Sequence, residues 1–188
     1  MKDEKLLLDL ASKSIESEFN KEIKIDKEKL VKENSFLDEQ RATFVTLTLN
    51  GKLRGCIGSL LAHRSLLDDI LHNARAAAFS DLRFDRLSLE EFKNIKIEIL
   101  LLTIPKLLEY TDLEDLEKKL IPNKYGVILE LDGKRATFLP QVWEQLPTFN
   151  EFVAHLCKKA GLNPSSLSGL PKIQIYEAQK IKEESSKS

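Results

Sequence analysis

The chain is poor in the residues that build a metal centre, a disulfide frame or a membrane span. It holds two cysteines and three histidines in 188 residues. Cys56 and Cys157 do not make a disulfide framework, and reduced thiols are expected. His63, His72 and His155 show no HxH or HxxxH spacing, so no metal site is expected. Neither sign of charge is in excess, with 29 Lys+Arg against 30 Asp+Glu, which removes the electrostatic reason to expect nucleic acid. The longest apolar stretch, Ile97–Ile104, is too short to cross a bilayer. The first residues, MKDEKLLLDLAS, carry acids among the leucines and do not read as a signal peptide. No GxGxxG or GxxxxGK[ST] occurs, so no nucleotide-cradling loop or cofactor is expected. These absences leave a cytoplasmic protein with no membrane or nucleic-acid partner, built as one domain with a smaller lobe.

Glycine is scarce too, and three of the seven glycines fall between Asn50 and Leu60, in NGKLRGCIGSL. Asn-Gly between two strand-like runs is a strong hairpin signal, because a two-residue type I′ turn needs positive φ twice. A second hairpin, YGVILELDGKRATFLP, turns at Asp132-Gly133. The likeness of VTLTLNGK to VILELDGK is read as one turn problem solved twice, with internal duplication as the alternative. Around the hairpins the periodicity predicts amphipathic helices over 3–19, from Ser65, from Thr111 with Glu114, and from Thr148 to Gly161. A short helix is expected at Ser88–Phe92 and strands at Ile95–Thr103 and Lys172–Tyr176. Asp68 and Asp69 read as first-turn acids favoured by the helix dipole. The expected class is α+β, with an antiparallel or mixed sheet built on the two hairpins and covered by helices.

Counting outward from Asn50-Gly51 sets Leu49 opposite Lys52, Leu47 opposite Arg54 and Val45 opposite Cys56. Arg54 and Cys56 then share a face, with Leu53, Gly55 and Ile57 on the other. The same count sets Arg135 opposite Glu130, an opposite-charge pair. Arg54 has no such neighbour, so its anion is either a distant acid or a ligand's carboxylate or phosphate. A cation beside Cys56 favours the nucleophilic thiolate, whereas a free cysteine is equally well a small buried hydrophobe. Gly55 and Gly58 open the backbone to close approach. His155 is a candidate base for Cys56 or a half-exposed helix residue. Arg83, Asp85 and Arg86 around Phe84 form either a surface ion-pair loop or the rim of an anion-binding cleft. Trp143 either caps the core or walls a pocket.

LRGCIGSL, the Ala-rich helix leading into AFSDLRF, then YGVILE, RATFLPQVWEQLP and HLCKKAGL occur in that order. Together they resemble the AMMECR domain family, also called AmmeMemoRadiSam system protein A in prokaryotes, over roughly residues 5–178. Leu82 departs from the family pattern, where a proline is expected before Arg83-Phe84. The resemblance implies a single domain over 5–178, with a larger and a smaller lobe and a cleft between them, and a polar tail over 179–188. It implies association with a Memo-like protein and a radical SAM protein, and it adds weight to Leu53–Gly58 as the functional motif. The function expected is an accessory or partner-binding module that takes a small anionic ligand at Arg54, Gly55, Gly58, Arg83 and Trp143. The alternative is a cysteine-dependent enzyme using Cys56, with Arg54 holding the substrate anion and His155 as base.

Overall fold

A computed structural model describes residues 2–183, and the last residues of the expected polar tail, 184–188, lie outside the described residues. The fold is α+β, and each hairpin belongs to a four-stranded sheet of its own. The described chain divides into two compact units, one formed by residues 2–102 with 179–183, the other by Thr103–Ala178.

The first unit opens with α1 (Lys2–Phe19), whose buried stripe is Leu7, Leu10, Ala11, Ser14 and Ile15. The spacing of those positions is that of one helix face. A short helix, α2 (Lys27–Glu33), starts where the Asp26 side chain accepts from the Lys29 N–H. Strand β1 (Thr43–Leu49) turns through Asn50 (φ 51°) and Gly51 (φ 76°) into β2 (Lys52–Gly58). Helix α3 (Leu66–Phe79) is capped by Ser65, and α4 (Leu89–Phe92) by a reciprocal capping box between Ser88 and Glu91. Strand β3 (Ile95–Leu102) pairs antiparallel with β1. Helix α3 packs on β1 and β2, and α1 lies against α3 and β3. The resulting core includes Ile15, Leu37, Val45, Leu47, Ile70 and Ile99, all at 0% exposure.

The second unit begins with the short strand β4 (Lys106–Leu108), which the periodicity did not reveal, and α5 (Leu113–Lys119). The N-cap of α5 is Asp112, accepting from the Asp115 N–H, and not the expected Thr111. Strands β5 (Gly126–Leu131) and β6 (Lys134–Phe138) turn at Asp132 (φ 52°) and Gly133 (φ 73°), with Arg135 opposite Glu130 as counted. Helix α6 (Phe149–Lys159) stops at Gly161, φ 75°, and is followed by β7 (Lys172–Tyr176). The second sheet runs β4-β7-β5-β6.

The last strand, β8 (Ala178–Lys182), joins the first sheet, whose order is β2-β1-β3-β8. Residues 179–182, expected in the polar tail, are therefore strand, and Ile181 is buried in the first core. Its single apolar side chain among polar neighbours is enough for an edge strand with one covered face.

Candidate functional site: the β2 edge and the loop beneath Arg54

The first hairpin does not keep the register counted from its turn. Leu49 faces Lys52 and Thr48 faces Leu53, but Leu47 faces Gly55 and Thr46 faces Cys56. Arg54 is the extra residue of a β-bulge. A one-residue slip moves every later side chain to the opposite face. Leu47 is wholly buried, so the unbulged register would have driven the Arg54 cation into the apolar core and set Cys56 against buried Val45. With the bulge, Gly55 faces α3, and Cys56 turns to the half-buried Thr46, whose hydroxyl donates to Sγ at 3.2 Å.

Gly55 is required by packing. A Cβ there would lie 2.1 Å from the Ala77 carbonyl oxygen on α3, a backbone atom with nowhere to go. The alanines of α3 and the glycine of β2 are thus two halves of one close helix–sheet contact. A Cβ on Gly58 would lie 2.1 Å from the Phe44 ring.

Arg54 is 9% exposed, and its anion is a distant acid of the same chain. Nε donates to Glu91 Oε1 at 2.8 Å and Nη2 to Glu91 Oε2 at 3.0 Å, while Nη2 also donates to the Asp85 carbonyl at 2.9 Å. Glu91 serves two purposes, since Oε2 also accepts the Ser88 N–H of the capping box at 2.9 Å. The Arg54 bonds first, and the Ser88 N–H second, lower the Glu91 carboxyl to about 2. One nitrogen of the fork is left over. Arg54 Nη1 is buried and finds no acceptor among the described residues. The guanidinium lies over the Phe84 ring, 5.7 Å from its centroid, and Arg83 lies at 5.5 Å from the same ring.

Arg83 reaches the backbone of Cys56, with Nη2 3.5 Å from its carbonyl oxygen. Asp81, 7% exposed, accepts the Cys56 N–H at 2.9 Å and the Arg83 Nε and Nη2 groups at 3.0 and 2.8 Å. Those Arg83 bonds hold the Asp81 carboxyl well below the usual carboxylate range, against the opposing effect of burial. Arg83 in turn is raised chiefly by its hydrogen bonds to Asp81. The Asp81–Arg83 pair occupies the free edge of β2, which is an end strand of its sheet.

Asp69 is the polar residue that sequence reasoning missed. It is 1% exposed and does not sit on the surface as a first-turn acid. Its Oδ2 accepts from the Thr43 N–H, the Thr43 hydroxyl and Asn73 Nδ2 at 2.7, 2.7 and 3.0 Å. Its Oδ1 accepts from Ser59 Oγ and Arg64 Nε at 2.8 and 2.9 Å. The carboxylate ties the start of β1, the residue after β2 and the first turn of α3 into one knot. The adjacent Asp68 does remain on the surface, paired with Lys27 at 2.6 Å.

Trp143, His155 and Cys157 belong to the second unit. Trp143 is 1% exposed and stacked on Phe152, with centroids 3.7 Å apart, and its Nε1–H donates to the Tyr125 carbonyl. It is a core residue of that unit. His155 is exposed, with Nδ1 bonded to the Glu151 carbonyl at 2.8 Å, which fixes the proton on Nδ1. Cys157 is buried, and burial pushes its thiol pKa up. Among the described residues no group of three His, Cys, Asp or Glu is placed to hold a metal ion.

Arg54, Leu82, Arg83, Phe84, Asp85, Arg86 and Glu91 line an open pocket of about 520 Å³ within the first unit. This bulged, glycine-bearing edge strand, strapped by an Asp–Arg loop, defines the class: an α+β protein of two four-stranded sheets with an arginine pocket on one of them. The chain belongs to the AMMECR1 family, whose sequence model matches residues 8–181. It is 35% identical over 179 residues to a protein of Methanosarcina barkeri, covering 93% of this chain and 87% of that one. It is 38% identical over 171 residues to a protein of Saccharolobus solfataricus, covering 85% and 72%. The crystal structure of the uncharacterized protein PH0010 from Pyrococcus horikoshii is similar, with TM-score 0.71 and 30% identity over 93% of this chain and 88% of that one. No helix among the described residues is long and apolar enough to cross a membrane.

Proposed function

We propose that the protein is an accessory binding module whose pocket at the LRGCIG motif takes an oxygen acceptor of a ligand or partner on Arg54. One observation carries this reading. Arg54 is nine-tenths buried on the wall of a pocket, with three of its donor positions satisfied and Nη1 without an acceptor. A buried donor left unmatched costs about 1–3 kcal/mol, so such a group in a folded protein calls for a reason. A carboxylate or carbonyl oxygen supplied from outside removes the cost once the guanidinium shifts enough to expose Nη1, which has no free surface in the structure. The family resemblance adds a Memo-like protein and a radical SAM protein as the proposed partners.

The test is a titration of the ¹⁵N-labelled protein with acetate and with inorganic phosphate. The reading expects amide shifts confined to residues 81–91 and the motif, absent in Arg54→Lys, which keeps the charge but removes the fork. Shifts that persist unchanged in Arg54→Lys, or none at all, sink it.

A second reading, a cysteine-dependent enzyme, is favoured by one observation: Cys56 is half-buried on the edge strand, with Arg83 Nη2 3.5 Å from its carbonyl oxygen. Alkylation of Cys56 measured against pH tests it. A rate at neutral pH no faster than that of an unfolded thiol removes it.

A further inference from the structure

We infer that the occupant of the Arg54 pocket is a polypeptide segment, presenting one backbone carbonyl or carboxylate oxygen to Nη1 and an apolar side chain to the rim. The inference rests on the binding reading above and names the class of ligand. The first argument is charge. Arg54 has Glu91 and Arg83 has Asp81, whereas Arg86 shares Glu18, at 3.2 Å, with Arg75 at 2.6 Å, and Asp85 adds a further carboxylate to the lining. Three carboxylates, Asp81, Asp85 and Glu91, thus stand among the three arginines, which leaves no net positive charge to compensate a phosphate dianion. What remains is one nitrogen, Nη1, with two N–H groups on a neutralised guanidinium, which suits an oxygen of low or single charge.

The second argument is apolar surface. Leu82 is fully exposed, at 102% of its reference area, and it lines the pocket. Leu53, next to Arg54, and Leu89, two residues before Glu91, are 44% and 49% exposed. A phosphate or nucleotide site has no use for a fully exposed leucine in its lining, with two more exposed leucines adjacent in sequence to Arg54 and near Glu91. A protein interface does, since buried apolar anchors beside arginine carry most of its binding energy. The third argument concerns mode. The outward N–H of Cys56 is taken by Asp81, and its carbonyl lies 3.5 Å from Arg83 Nη2. The loop therefore covers the β2 edge where an added strand would pair, and the segment docks by side chains and a single oxygen, not by sheet extension.

The experiment pans a random peptide library on the full chain and compares wild type with Leu82→Ser and Arg54→Lys. Leu82→Ser alters a side chain in solvent and leaves the fold intact, so it stands if Arg54→Lys folds poorly. The expected result is a family of peptides with a shared apolar residue. A synthetic member loses at least about tenfold in affinity in either variant and shifts the amides of residues 81–91. Peptides that bind both variants as well as wild type overturn the inference. If no peptide is enriched but inorganic phosphate or acetate shifts the 81–91 amides of wild type, the inference fails and the binding reading survives. If nothing moves those amides, both fail.

Discussion

The Arg54 guanidinium grips the Glu91 carboxylate across 37 residues of sequence, Nε to Oε1 at 2.8 Å and Nη2 to Oε2 at 3.0 Å. Glu91 is at once the counter-ion of the motif's arginine and the closing half of a helix cap. Removing its side chain strands a buried cation and opens the cap. Fully buried pairs cost about 3–5 kcal/mol when broken, and the partial exposure of Glu91 brings the expectation for Glu91→Ala down to about 2–3 kcal/mol, read from the urea midpoint.

The same pair gives a pH signature. Glu91 is lowered in the folded protein from an ordinary 4.5 to about 2, and Asp81 is lowered too. A depressed carboxyl stabilises fully above its unfolded pKa, and that stabilisation is lost as pH falls through the folded value. Stability therefore drops between about pH 4.5 and pH 2. Glu91→Gln should flatten this acid limb relative to wild type when denaturant midpoints are taken across that window.

Gly55 and Gly58 look alike in sequence and should not behave alike. The Gly55→Ala methyl meets a helix carbonyl, and the Gly58→Ala methyl meets Phe44 Cγ, which clears it only when that half-buried side chain swings about χ1. Overpacking against backbone is expected to cost about 3 kcal/mol and against Phe44 about 1 kcal/mol. Equal costs in chemical unfolding would contradict the helix–sheet contact described here.

Asp69→Ala removes the acceptor for five donors in a dry site. The expected loss is about 3–5 kcal/mol, far above that of Asp68→Ala, an exposed pair worth less than about 1 kcal/mol. Thermal melts of the two variants side by side make the comparison.

The two thiols should separate cleanly. Cys56 is half-buried, and Cys157 is wholly buried with its thiol pushed up by burial. Iodoacetamide is expected to label Cys56 in the native protein and Cys157 only after denaturation. Cys56→Ser should change stability by less than about 1 kcal/mol, since its Sγ keeps one neutral partner, Thr46.

What was legible in the sequence was local. Both turns were readable because two successive positive φ values demand Asn-Gly or Asp-Gly. The helices on either side of the motif were readable from their periodicity and their caps. The bulge at Arg54 was not, because the count from the turn assumes an unbroken ladder, and what breaks it is α3 pressing on Gly55. The spacing of Ser88 and Glu91 was a visible capping signal, but nothing near it says that the same carboxylate reaches Arg54. Asp69 carried the pattern of an ordinary first-turn acid. Only the approach of Thr43 and Ser59 from the sheet turns it into a buried hub. The edge strand β8 was hidden because a single buried isoleucine among polar residues resembles a tail.

The most direct test of the Arg54 pocket is the side-chain ¹⁵N spectrum of its arginines during titration with acetate. The Arg54 Nη signals are expected to shift as Nη1 gains an acceptor, while Nε, held by Glu91, stays in place. Movement of the exposed Arg83 and Arg86 signals alone, with Arg54 unmoved, would contradict it.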